Sequence, residues 1–549
     1  MLAFLAAGCG QVEQRTPEET GASDSEPSTT KETTVEETTV GEAAASGETV
    51  DIQILGFNDL EGNLEPYEND DGEEVGGVAY LDAIMDQREE ENPEGTIRVH
   101  VGDLVGASPL ISAYYHDEPT IEAANLMELD LGTLGNHEFD EGAGEMFRLI
   151  DGGQREGARE TSDPDFEGAD FPYVSANVVD RDSGEPVIEP YEVLEVNGVE
   201  VGFIGLVTTS TPEKVVPDAV EPFEFRDLSD SVNMYADELR GQGVETIVVL
   251  AHSGNENEDV EPPMGEIVDE APQMSEAVDV IIAGDTPFPM NYEESGKLVV
   301  QGSGTGSDLV AAQMEVDAES GDVVESSGEV VDVVSSEVEP SEDLRDLVEE
   351  QASEVAEVSN RVVGEAAEDI AADYEAESAL GNLIADAQRT YTDADIAFMN
   401  PGGIRADINQ GEVTYGDLFT VQPFGNGMVR QEMTGEQVKA ILEQQGDEEV
   451  STLLQVSGIQ HTYDAEAPEG ERATEITVGG EDLDPNSTYT VAINSFLATG
   501  GDGFTLFTEG ENPETLGSDL DALVEYIEGL EQPFTAPDPE EDQRITLEG

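Results

Sequence analysis

Gly135-Asn136-His137-Glu138-Phe139-Asp140 packs an amide, an imidazole and two kinds of carboxylate into one short turn, directly after the apolar run Leu131-Gly132-Thr133-Leu134. An Asn oxygen can bind a hard divalent cation. A histidine followed three residues later by an aspartate can form a pair in which the carboxylate orients and charges the ring. Such a turn is equipped to stabilise developing negative charge and to protonate a leaving oxygen. The competing reading is a helix start, with Asn136 as N-cap and Glu138 and Asp140 complementing the helix dipole.

Other apolar runs end the same way. Val50 to Phe57 alternates like a strand and leads to Asp59. Thr96 to Val101 ends in Gly102-Asp103, Glu245 to Leu250 in Ala251-His252, and Ala277 to Ala283 in Gly284-Asp285. Between them lie helical patterns, Gly77 to Glu91 (Val78, Leu81, Ile84 and Met85 on one face) and Ser229 to Gly241, and a helix opened by Asp117-Glu118-Pro119 with Asp117 as capping acid. Asn197-Gly198 between two apolar arms signals a hairpin. In α/β sheets the loops at strand ends converge on one crevice, so Asp59, Asp103, Asn136, His252 and Asp285 are candidate ligands of one site. Taken singly, each carboxylate reads as solvated surface and His252 as a satisfied buried imidazole. Together they suit Mn²⁺, Mg²⁺, Ca²⁺ or Zn²⁺, and two adjacent cations are the usual clamp for a phosphate.

The chain has 549 residues, with 127 Asp plus Glu against 20 Lys plus Arg, a net charge of -107. The acids are interleaved with periodic apolar segments, as on a folded protein whose carboxylate surface is screened by high salt. No basic face exists to release counter-ions from a nucleic acid, so no stable nucleic-acid partner is expected. The single cysteine, Cys9, follows Leu5-Ala6-Ala7-Gly8 and resembles a lipobox, although no basic segment precedes it. Lipidation at Cys9 would attach the protein to the extracellular face of a cell membrane, with residues 10–49 as a disordered acidic tether.

Past Val334 the composition turns polar and helical across residues 336–360, and a second domain begins near residue 361. Ile396-Ala397-Phe398-Met399 reads as a strand leading into Asn400-Pro401-Gly402-Gly403-Ile404-Arg405. With so few cations in the chain, Arg405 after a Gly-rich turn is a candidate anion anchor. Gln422 to Asn426, with Phe424, and Phe496 to Phe504 set aromatics beside flexible turns. They suit stacking on a base or, equally, packing around turns.

These motifs, in this order, resemble the secreted 5'-nucleotidase family of two-domain metallophosphoesterases, over about Val50 to Phe507. The most specific are Phe57-Asn58-Asp59 with Gly62 to Pro66, Gly135 to Asp140, Asn400 to Arg405, Gly411 to Gly416 with Gln422 to Asn426, and Phe496 to Phe504. The resemblance implies an α/β protein: a four-layer αββα metallophosphoesterase domain (50–335), a linker helix (336–360) and a smaller α/β substrate-binding domain (361–549). It implies two divalent ions on Asp59, Asp103, Asn136 and His252, with Asp103 bridging, and transition-state stabilisation by His137 paired with Asp140. Arg405, Phe424, Asn426, Phe496 and Asp502 would bind a nucleotide, its base between Phe424 and Phe496. Several positions depart from the family pattern. Asp59-Leu60-Glu61 stands for Asp-x-His, Gly284-Asp285-Thr286-Pro287 for Gly-His-x-His or Gly-His-x-Gln, and Tyr374 stands about where many members place an arginine. With Glu61 and Asp285 added to the ligands, about four negative charges face two divalent ions. Oxygen ligands then favour Mn²⁺, Mg²⁺ or Ca²⁺ over Zn²⁺. The expected activity is hydrolysis of 5'-nucleotides or other small phosphoesters at the surface of a salt-adapted cell. The alternatives are a surface lipoprotein that binds nucleotide or metal without turnover, and a nuclease or cyclic phosphodiesterase using the same centre.

Overall fold

Strand Thr49–Phe57 is buried from Ile52 onward because it lies inside a seven-stranded sheet. Asp308–Asp317 pairs antiparallel on one side and Thr96–Val101 parallel on the other, and Leu131–Thr133 and Tyr173–Val174 extend the parallel run. A six-stranded sheet carries the remaining runs: Lys297–Gln301, Val280–Ala283, Thr246–His252 and Val199–Val207 lie side by side in parallel. Strands buried on both faces need apolar residues throughout, which is why these segments read as near-continuous Val, Ile and Leu.

The two sheets pack face to face. Ile52, Ile54, Val99 and Val101 of the first share a core with Phe203, Val248, Leu250 and Ile282 of the second. Helices Val78–Glu89 and Glu118–Leu126 cover the outer face of the first sheet with Leu81, Met85 and Ile121. Helix Leu228–Gln242 covers the second with Val232, Ala236 and Leu239. This is the expected four-layer αββα arrangement, and its parallel strands all deliver their C-terminal ends to one edge. The hairpin forms as read: Val196 faces Val199, with Asn197 and Gly198 at φ 50° and 82°, as a two-residue type I′ turn requires.

The computed structural model describes residues 38–40, 47–69, 72–155, 166–257, 262–374, 376–445, 453–465, 467–468, 470–539 and 542–547, all within one compact unit, Val35–Gly549. Cys9 and most of the 10–49 tether lie outside the described residues. Two expectations change. Thr38–Val40 is a strand, not tether: these β-branched residues pair antiparallel with Ser326 to Gly328 at the sheet's free edge. Asp117 precedes its helix but does not cap it, because at φ 61° its carboxylate accepts from Ser112 Oγ (2.9 Å) and reaches no helix amide.

Helix Glu342–Ser359 links the halves, packing on Val78–Glu89, Leu110–Ala113 and Glu118–Leu126 and also on Tyr415–Val421 of the second half. There a five-stranded sheet places Ile396–Met399 beside Thr488–Asn494 in parallel, with Gly427–Thr434 next to it. The loops after Met399 and Asn494 therefore emerge side by side. Among the described residues, no helix is long and apolar enough to cross a membrane.

Candidate metal centre and substrate cavity

Asp59, Asp103 and Asp285 each stand two residues beyond a strand and adopt left-handed φ values of 50°, 45° and 80°. Short polar residues tolerate that region best among those with a Cβ. Two glycines let the strand ends approach. A Cβ on Gly102 would lie 2.5 Å from His252 Nδ1, and one on Gly135 would lie 2.1 Å from Asp103 Oδ1.

His252 is fully buried at the end of its strand. Its Nδ1 is 2.9 Å from the Val101 carbonyl, which fixes the proton there. Nε2 then points at Asp103 Oδ2 (3.0 Å) and at the Asn136 amide (3.2 Å). Burial disfavours charge on His252, yet Asp103, Asp59 and Asp285 around it hold its pKa well above the ordinary value. Asp103 is correspondingly lowered, with His252 and His137 overcoming the effect of burial. The donor atoms of Asp59, Asp103 and His252 lie within 4.8 Å of one another, and a second such group joins Glu61, Asp103 and His137. Hard carboxylate oxygens and one imidazole lone pair fit a divalent cation, which would take the place of the proton on Nε2.

Asn136 is not a helix cap. Its side chain makes no capping hydrogen bond to the amides of Glu138 or Phe139. Oriented to donate to Asp285 Oδ1 (3.0 Å), its oxygen accepts from the His137 N–H at 3.2 Å. His137 also donates its N–H to Asp103 Oδ1 (2.7 Å), and its Nδ1 meets Asp140 Oδ2 at 2.8 Å. Nε2 faces the cavity, 3.9 Å from Glu61 Oε1. Burial opposes charge on this ring, but Asp140, Asp103 and Glu61 outweigh it and push its pKa up to about 10.

Glu138 serves as the buckle of this turn. Its carboxylate, 5% exposed, accepts from the backbone N–H groups of Asp103 (3.0 Å), Leu104 (2.9 Å) and Gly135. The sequence reading gave it only to the helix dipole. Lys214, at the end of the short helix Thr211–Lys214, was missed altogether, although it is one of the few cations and follows a sheet strand, as Arg405 does. Its ammonium donates to Asp285 Oδ1. Asp285, expected as a metal ligand, thus already holds a cation, with its Oδ1 3.6 Å from His252 Nε2.

The second half closes the site. Arg405, carried on the turn after Ile396–Met399, donates to both oxygens of Glu61 at 2.6 and 2.8 Å. Glu61 raises the Arg405 pKa further despite burial. Phe424 stacks on His137, with ring centroids 5.8 Å apart and planes at 20°. Phe496 projects from the turn Ser495–Ala498, which Asn494 caps by accepting from Leu497 N–H at 2.9 Å. Asn494 also donates to Asn400 Oδ1 (2.8 Å), and Asn400 donates to Asp502 Oδ2 (2.8 Å). Burial pushes Asp502 up to about 6. Asn426 Oδ1 accepts from Ser495 Oγ at 2.9 Å. Tyr374, half exposed, donates to the Ile404 carbonyl at 3.2 Å and so braces the Arg405 turn. One cavity of 660 Å³ is lined by Glu61, Asp103, Asn136, His137, Asp140, Lys214 and Asp285 from the first half, and by Arg405, Phe424, Asn426, Phe496 and Asp502 from the second. Asp59 and His252 lie behind this lining.

Comparison with known proteins agrees with this architecture. Residues 355–509 match the family model described as the 5'-nucleotidase, C-terminal domain. Endonuclease YhcR of Bacillus subtilis is 35% identical over 89% of this chain, which spans only 40% of that protein. Cell wall protein Lmo0130 of Listeria monocytogenes is 35% identical over 88% of this chain and 68% of its own length. The crystal structure of a 5'-nucleotidase precursor from Thermus thermophilus superposes with a TM-score of 0.76 at 28% identity, over 91% of this chain and 99% of that one. With the paired sheets, the strand-end carboxylates and histidine, and the second domain lining the same cavity, these similarities show that the chain belongs to the 5'-nucleotidase family.

Proposed function

We propose that this chain is a divalent-metal-dependent phosphohydrolase that removes phosphate from 5'-nucleotides and related small phosphomonoesters. The observation that carries this reading is the single cavity in which a carboxylate and imidazole cluster faces an arginine and two phenylalanines from the other half. Asp59, Asp103 and His252, with Asn136 beside them, would hold the metal. A divalent ion there supplies Lewis-acid charge and activates water.

The remaining chemistry belongs to side chains. His137, its ring fixed by Asp140, donates from Nε2 to a phosphoryl oxygen as negative charge builds there. Arg405 offers a planar fork to the same phosphate. Phe424 and Phe496 present π faces to a base, and Asp502, braced by Asn400, accepts from ribose hydroxyls. The cell surface fits as the site of action: the Listeria relative is named a cell wall protein, and Cys9 lies in a lipobox-like sequence. The net charge of -107 fits work in concentrated salt.

A second reading, nucleotide binding without turnover, is favoured by the ion pairs that already engage Glu61 and Asp285. Phosphate release from 5'-AMP in molar salt, with Mn²⁺, Mg²⁺, Ca²⁺ or Zn²⁺, separates the two. Release is expected with Mn²⁺ or Mg²⁺ above Zn²⁺, to fall at least ~100-fold in EDTA, and to return on adding metal. Saturable AMP binding with no release under any metal would establish the binding-only reading. Cleavage of a single-stranded oligonucleotide without AMP hydrolysis would point instead to the chemistry named for the Bacillus relative.

A further inference from the structure

We infer that the centre takes a single divalent ion, and that the ammonium of Lys214 stands where a second would sit. This rests on the metal-dependent reading of the site, but it concerns the number of ions rather than turnover. Four carboxylates reach the centre: Asp59, Glu61, Asp103 and Asp285. Two of them are already matched by covalently tethered cations, Glu61 by Arg405 through both oxygens and Asp285 by Lys214.

The two left over, Asp59 and Asp103, carry the charge that one divalent ion neutralises, and their oxygens and the His252 nitrogen all lie within 4.8 Å of one another. A second ion would need Asp285, beside the Asn136 amide and the shared Asp103. That carboxylate is only 10% exposed, and the oxygen facing His252 is the one that holds Lys214. A dication on that oxygen would have to expel the ammonium or sit against its charge. The other place, among Glu61, Asp103 and His137, has Glu61 held through both its oxygens by Arg405. The side chains that replace the family's histidines are thus each paired with a fixed cation, so the departures at Glu61 and Asp285 form a charge exchange rather than a loss.

The test is a Mn²⁺ titration of metal-stripped protein, counting bound ion by electron paramagnetic resonance, for the wild type, Lys214→Arg and Lys214→Met. One ion per chain is expected for the wild type and for Lys214→Arg, and two for Lys214→Met, where Asp285 is released. Two ions in the wild type would overturn the inference, as would none. One ion in folded Lys214→Met would overturn the role given to Lys214. If that variant does not fold, the wild-type count still decides. Phosphate release from the same samples reads the proposed function separately: one ion without turnover leaves this inference standing and removes the other.

Discussion

Replacing His137 by asparagine is expected to lower kcat for 5'-AMP about 1,000-fold with little change in KM. His137 Nε2 faces the cavity while Nδ1 is held by Asp140 at 2.8 Å, so the ring cannot turn away from a substrate oxygen without breaking a partly buried pair. Loss of one preorganised donor at a developing oxyanion costs about 10²–10³ in rate, and loss of proton transfer adds to it. A factor of 1,000 corresponds to about 4 kcal/mol of transition-state stabilisation. Asp140→Asn keeps a hydrogen-bonding partner but removes the charge, and should cost about 10-fold. Steady-state kinetics with saturating metal measures both. A loss below 10-fold for His137→Asn would mean that the ring has only a packing role against Phe424.

The second large effect is expected at Glu138, whose carboxylate is taken up by three backbone N–H groups. Glu138→Ala should lower stability by about 3–5 kcal/mol, because it leaves three buried N–H groups without an acceptor. Those N–H groups belong to Asp103, Leu104 and Gly135, which position the Asp103 carboxylate and the Asn136 turn. Metal affinity should therefore fall about 10–100-fold as well. Glu138→Gln retains one acceptor oxygen and should recover about half of the stability. Urea unfolding and Mn²⁺ titration give the two readouts, and an alanine variant within 1 kcal/mol of wild type would remove the buckle role.

The sheets and the polar residues gathered at their strand ends were legible because each rests on local pattern. Apolar runs predicted strands, and the residue after each run was a ligand type, so Asp59, Asp103, Asn136, His252 and Asp285 could be placed at one edge before any contact was known. Helix ends shifted by a few residues, as Gly77 to Glu91 against Val78–Glu89 illustrates, since fraying and capping decide them. Side-chain pairing across long separations was not legible. Arg405 and Glu61 are 344 positions apart, and Lys214 and Asp285 are 71 apart. Nothing in either neighbourhood says that a predicted ligand or anion anchor meets another charge first. Asn136 was ambiguous for another reason: cap residues and ligand residues are the same chemical types, and only the groups that the side chain reaches tell them apart.

The Arg405–Glu61 pair bears on how an anion enters this cavity. A phosphate that recruits the Arg405 Nη2 group held by Glu61 exchanges one ion pair for another instead of creating one. Exchange leaves the count of paired charges nearly constant, and with it the counter-ions taken up or released. An ordinary cationic pocket loses affinity steadily as ionic strength rises. This one is expected to hold its affinity between dilute buffer and brine, which phosphate titration at low and molar salt measures, because whatever screening takes from the new pair it also takes from the old.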